Sequence, residues 1–127
     1  MENEFVPYKE ALALKELGFD HCCFCSYNSE GKLADNYGTY YKIHLSEVTI
    51  APLYQQAFRW FREKYNLVAE IQAPDGKNGK WNPTIHKSYG FGNYYDNDGF
   101  NSYEEAELAC LRKLIENEIN RTKPKQR

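Results

Sequence analysis

At 127 residues and 14.9 kDa the chain has the length of one ordinary domain, enough to bury a core without disulfides or a structural metal. A hydrophobic content of 42% with 27% charged residues is that of a globular protein, and no apolar run approaches the roughly 20 residues of a membrane span. The formal charge of −2 hides an asymmetry: residues 121–127, RTKPKQR, hold four of the 16 basic residues, leaving 12 basic against 18 acidic elsewhere, a net of −6 that repels phosphate.

The opening MENEFVPYKE is acidic where a secretory signal is basic and then apolar, so a cytoplasmic protein is expected. In that compartment Cys22, Cys23, Cys25 and Cys110 are expected as thiols rather than as a disulfide framework. Aromatic residues reach 16%, eleven of them Tyr, which is more than a core of this size needs. Some are expected at the surface.

In chain order, Pro7 suits the first position of a helix over Tyr8–Leu17, and Gly18 ends it with Phe19 placed to pack back on the last turn. Residues 21–27, HCCFCSY, read as a short strand, and residues 28–36 as a loop punctuated by Ser29, Gly31, Asp35 and Asn36. Residues 37–45 alternate, with Tyr37, Thr39, Tyr41, Ile43 and Leu45 on one face, which predicts a half-buried strand. Residues 46–51 follow no clear pattern.

Residues 52–65, PLYQQAFRWFREKY, carry the strongest signal. At about 100° per residue, Leu53, Tyr54, Ala57, Phe58, Trp60, Phe61 and Tyr65 share one half of a helix. Residues 66–73 and 81–89 read as two strands of an antiparallel hairpin around PDGKNGK, with Trp81, Ile85 and Tyr89 on one phase, and a further short strand is expected around Tyr94 and Tyr95. Ser102 and Glu105 have capping-box spacing, and Ala106, Cys110, Leu111, Leu114 and Ile115 form the buried stripe of a last helix ending near Glu118 or Ile119. The expected architecture is α+β, about three helices on an antiparallel sheet of four to five strands, as one domain over residues 1–119 with a disordered basic tail over 120–127.

Candidate chemistry is sparse. On a strand Cys23 and Cys25 face one way and Cys22 the other, so with His21 they do not converge on a metal without a bulge, and small buried residues are the plainer reading. Asp96, Asp98 and Glu105 fall at positions three, five and twelve of a calcium loop, but Tyr94 stands at position one. His21, His44 and His86 lack a nucleophile or acid partner in any recognised motif, and no P-loop or dinucleotide fingerprint is present. No cofactor is implied.

The order helix, strands, helix from Leu53 onward is that of double-stranded-RNA-binding domains, yet the last helix opens with Glu104, Glu105 and Glu107 where that fold needs lysines. Charge therefore argues against nucleic acid, single-strand stacking on the aromatics being the gentler form of that reading. Tyr89, Phe91, Tyr94 and Tyr95, spaced by Gly90 and Gly92 and flanked by His86 and Lys87, form the candidate contact surface for a protein partner or a small ligand.

Three segments, VPYKEALALKELGFD from Val6, APLYQQAFRWFREKYNL from Ala51 and SYEEAELACLRKLIE from Ser102, resemble recurring phrases of small uncharacterised proteins of bacteriophages, prophages and gut Bacteroidetes. Together they cover a little over a third of the chain, in the same order. The resemblance implies a phage or mobile-element accessory protein, and it brings no activity, cofactor or site residue with it. Combined with the tyrosine excess and the missing catalytic motifs, it leads to the expectation of a non-enzymatic protein acting by protein–protein contact or self-assembly. A small-ligand or nucleotide binder using the aromatic loop is the alternative.

Overall fold

The computed structural model describes residues 4–21, 25–35, 49–75, 79–88 and 92–122. Among them are three helices and five strands, in antiparallel sheets of three and two strands, a mixed α+β fold. Two units divide the chain at Met1–Ala57 and Phe58–Arg127, so that the boundary falls inside the second helix. Among the described residues no helix is long and apolar enough to cross a membrane.

In the first unit, helix α1 spans Tyr8–Leu17. Pro7 stands just before it with extended backbone, one position earlier than expected. Gly18 takes the left-handed conformation that ends the helix, its N–H bonding Lys15 O while Phe19 N–H reaches Leu14 O, a Schellman closure that leaves Phe19 buried. The inner face of α1, Glu10, Ala11 and Leu14, is buried, and the helix lies on strand β3, Thr49–Ala51.

Strands β1, Cys25–Tyr27, and β2, Leu33–Asp35, complete the sheet in the order β2-β1-β3. β2 lies inside the stretch expected to be loop: residues 28–32 form a tight turn in which Asn28 Oδ1 accepts from the N–H groups of Glu30 and Lys32. The chain is thereby returned onto β1, and three residues too few to show a period become a strand by pairing. The strand expected over residues 37–45 lies outside the described residues, as do Cys22, Cys23 and His44. The Tyr27 hydroxyl donates to Val6 O at 2.7 Å, tying β1 to the chain ahead of α1.

Helix α2, Tyr54–Tyr65, buries the stripe that its periodicity predicts, with Tyr54, Ala57, Phe58, Trp60 and Phe61 inside. Asn66 adopts φ 58°, and this left-handed residue turns the chain directly into β4, Leu67–Gln72. β4 pairs along its whole length with β5, Asn82–Lys87, from Leu67 opposite Lys87 to Gln72 opposite Asn82. Helix α3, Tyr103–Thr122, covers this hairpin with Ala106, Cys110, Leu111, Leu114 and Ile115. Ser102 Oγ accepts from Glu105 N–H at its start.

α3 runs past the end expected at residue 118 or 119. Buried Glu118 holds Arg121 by contacts of 2.7 and 2.8 Å, and the Arg121 guanidinium lies 5.3 Å over the Tyr65 ring, so the last turn is anchored. No strand forms at Tyr94 and Tyr95. Residues 92–99 are irregular, and only Phe100 bridges to Trp81.

Two glycines of this segment have left-handed backbone in different surroundings. A Cβ at Gly99, φ 91°, would lie 2.6 Å from Lys80 Cβ and 2.8 Å from Asn82 Oδ1, whereas at Gly92, φ 105°, nothing lies within 4 Å. Alanine at either position costs about 1 kcal/mol for the backbone, and at Gly99 roughly 1–3 kcal/mol more for the clash. Urea denaturation of Gly99→Ala and Gly92→Ala is expected to show the larger loss at Gly99; equal losses would contradict this packing.

Candidate functional site

The candidate surface is built on the outer edge of β5. Ser88 N–H bonds Asn66 O, and the register from there makes the even-numbered residues of β5 exchange hydrogen bonds with β4. Trp81, Pro83 and Ile85 therefore direct their backbone groups away from β4. An edge of this kind must be covered or it recruits another chain.

Residues 92–100 cover it. Trp81 and Phe100 exchange two backbone bonds of 2.8 Å, Asn97 Nδ2 donates to Pro83 O at 3.0 Å, Ile85 N–H donates to Asn93 Oδ1 at 3.0 Å, and Ile85 O accepts from Tyr94 N–H at 2.7 Å. Asn93 Oδ1 also takes Tyr95 N–H, and Asn97 ties Tyr95 O to Gly99 N–H. Two asparagine side chains thus stand in for strand backbone. His86 adds a ring contact of 2.8 Å from Nδ1 to Gly92 O; because a carbonyl only accepts, Nδ1 carries the proton.

This scaffold separates the two described tyrosines. Tyr94 is 51% exposed, whereas Tyr95 is half-buried and its hydroxyl is pushed up by burial, then by Cys110 and Glu116. Lys87 is exposed and His86, which touches Gly92 O, is half-buried. Tyr89 and Phe91 lie outside the described residues. Asn93 and Asn97, which fix the surface, are absent from the aromatic pattern that suggested it; their signal is the run NYYDNDG, with asparagine placed to form side-chain turns.

Behind the loop, β5 and α3 enclose a group of titratable side chains. Trp81 meets Tyr103 edge to face at 5.4 Å, and the Tyr103 hydroxyl is pushed up by burial, the Glu107 charge and hydrogen bond, and Glu104. Burial first and then Glu107 push the Cys110 thiol up to about 12. A thiol so held is protonated at neutral pH and is no nucleophile.

Cys25 and Cys110 are reduced thiols, half-buried in β1 and buried in α3, and His21 is exposed with its ring against Phe19 at 5.2 Å. Asp96, Asp98 and Glu105 are all exposed, and among the described residues no group of three or more His, Cys, Asp or Glu side chains could hold a metal ion. The chain matches no family model, no curated protein sequence and no solved structure.

The raised Cys110 value carries a sign. Its folded pKa of about 12 lies above the ordinary 9.0, so the folded state keeps a proton that the unfolded chain loses. Stability on this account is full below pH 9 and falls as pH rises from 9 toward 12. Chemical denaturation across that range is expected to show the fall, and Cys110→Ala to reduce it while the raised Tyr95 and Tyr103 hydroxyls keep a remainder above pH 10; an unchanged slope would remove Cys110 as a source.

Proposed function

We propose that this chain is a non-enzymatic interaction protein, an accessory factor of phage or mobile-element origin, that binds a protein partner through residues 92–100 with Tyr94 at the centre. The observation that carries the reading is the contrast at Tyr94. A large amphipathic ring stands 51% exposed on a segment whose backbone is held at Ile85, Pro83 and Trp81. An exposed aromatic on a fixed backbone loses little entropy on binding, which is how contact hot spots gain affinity. His86, tied through Nδ1 to Gly92 O, supplies a polar ring beside the same segment.

Two further points support the class. The buried thiol is driven away from reactivity, and the acidic body is a poor match for phosphate backbones. The mobile-element origin rests on the resemblance of the three helical segments.

Because Tyr94 is exposed, Tyr94→Ala is expected to leave the unfolding free energy within about 0.5 kcal/mol. The same change is expected to weaken a partner that copurifies with the wild-type chain by roughly tenfold to a hundredfold. Urea denaturation checks the first part and calorimetric titration with that partner the second. Unchanged affinity in Tyr94→Ala would overturn the assignment. A native mass exceeding a multiple of 14.9 kDa by that of a small retained compound, lost in the same variant, would favour the ligand reading instead.

A further inference from the structure

The two edges of the β4–β5 hairpin are treated differently. On the β5 side residues 92–100 satisfy the outward backbone groups. On the β4 side the same hydrogen-bond alternation sends the N–H and C=O groups of Leu67, Ala69 and Ile71 away from β5, and among the described residues β4 has no second strand neighbour. LVAEIQ carries none of the usual protections of an edge: it has no Pro and no Lys, it pairs with β5 over six residues without a bulge, and its one charge is Glu70.

We infer that this edge pairs with the β4 edge of a second copy of the chain, antiparallel about a two-fold axis through Ala69. The register follows from hydrogen bonding and charge. With the axis at Ala69, Leu67 meets the second copy's Ile71, Ala69 meets its own counterpart, and Ile71 meets Leu67, so every outward group of β4 is matched. Glu70 then lies opposite Val68 of the other copy. Moving the axis to Glu70 sets the two Glu70 carboxylates face to face, and moving it to Val68 sets Ile71 opposite Tyr65, the last residue of α2, where no strand is available.

The pairing also closes. It makes a four-stranded sheet in the order β5-β4-β4-β5, and both outer edges of that sheet are the β5 edges already covered by residues 92–100. An isologous contact with capped ends stops at two copies rather than extending into a fibre. Ala69 and Ile71 lie opposite buried Ile85 and Pro83, on the face that α3 covers, so the two α3 helices fall on one side of the joined sheet.

Light scattering after size exclusion, with native mass spectrometry, is expected to give twice 14.9 kDa for the purified full chain. Val68→Glu sets an introduced carboxylate against Glu70 of the other copy, twice per dimer and on the outer face of β4, and is expected to weaken the dimer on the order of tenfold. Adding Glu70→Lys to it replaces both repulsions with attractions and is expected to restore the dimer. Circular dichroism verifies the fold of each variant. In the wild type the Ala69 and Ile71 amides are expected to exchange slowly with solvent, and faster in Val68→Glu.

A monomer at every concentration, or a dimer indifferent to Val68→Glu, overturns the inference. So does a monomer whose Ala69 and Ile71 amides are slow, because one chain then covers its own edge. Tyr94→Ala is expected to leave the dimer intact; its loss in that variant would move the self-contact to residues 92–100. The partner-binding reading and this one therefore fail by different results.

Discussion

The outward-facing backbone of β5 is the constraint on which the second unit depends. A two-stranded hairpin is marginal by itself, and α3 covers only one of its faces. The edge beyond β5 still has to be satisfied, and Pro83 prevents an ordinary strand from doing so. Proline offers a carbonyl and no N–H, so a regular neighbouring strand would present there a carbonyl that nothing could meet. The amide of Asn97 supplies the donor Pro83 can use, and Asn93 Oδ1 supplies the acceptor Ile85 requires. A segment without strand geometry thereby does what a third strand would do.

That solution sets what the tyrosines can do. Tyr94 N–H is bound to Ile85 O and the Asn93 side chain spans Ile85 and Tyr95, so the two neighbouring rings differ in exposure, Tyr94 exposed and Tyr95 half-buried. The exposed ring follows from how the edge is closed rather than from a lack of core to receive it. Behind it, the environment of Tyr95, Tyr103 and Cys110 favours the neutral form of each group, so the Cys110 thiol is held as a poor nucleophile.

Much of the fold was legible from residue patterns. The stripe of α2, the Gly18 and Phe19 ending of α1, the β4–β5 hairpin and the Ser102 start of α3 are each encoded in a short contiguous stretch of chain, the range over which periodicity and turn chemistry operate. What escaped was encoded elsewhere. β2 and β3 are three residues each and exist by pairing with β1, and the last turn of α3 depends on Arg121 reaching Tyr65 across 56 positions of sequence. Counting aromatics drew attention to Tyr94 and Tyr95, while the residues that fix them are polar and read as an ordinary turn. A side chain that imitates backbone leaves no period to detect.

The most direct test of this account is amide hydrogen exchange, resolved by residue, at Ile85, Tyr94 and Phe100. If residues 92–100 close the β5 edge, these three amides exchange about as slowly as the Thr84 and His86 amides that face β4. Fast exchange at Ile85 and Tyr94 beside protected Thr84 and His86 would mean that the edge is open and the Tyr94 surface is not fixed, which contradicts the account at its base.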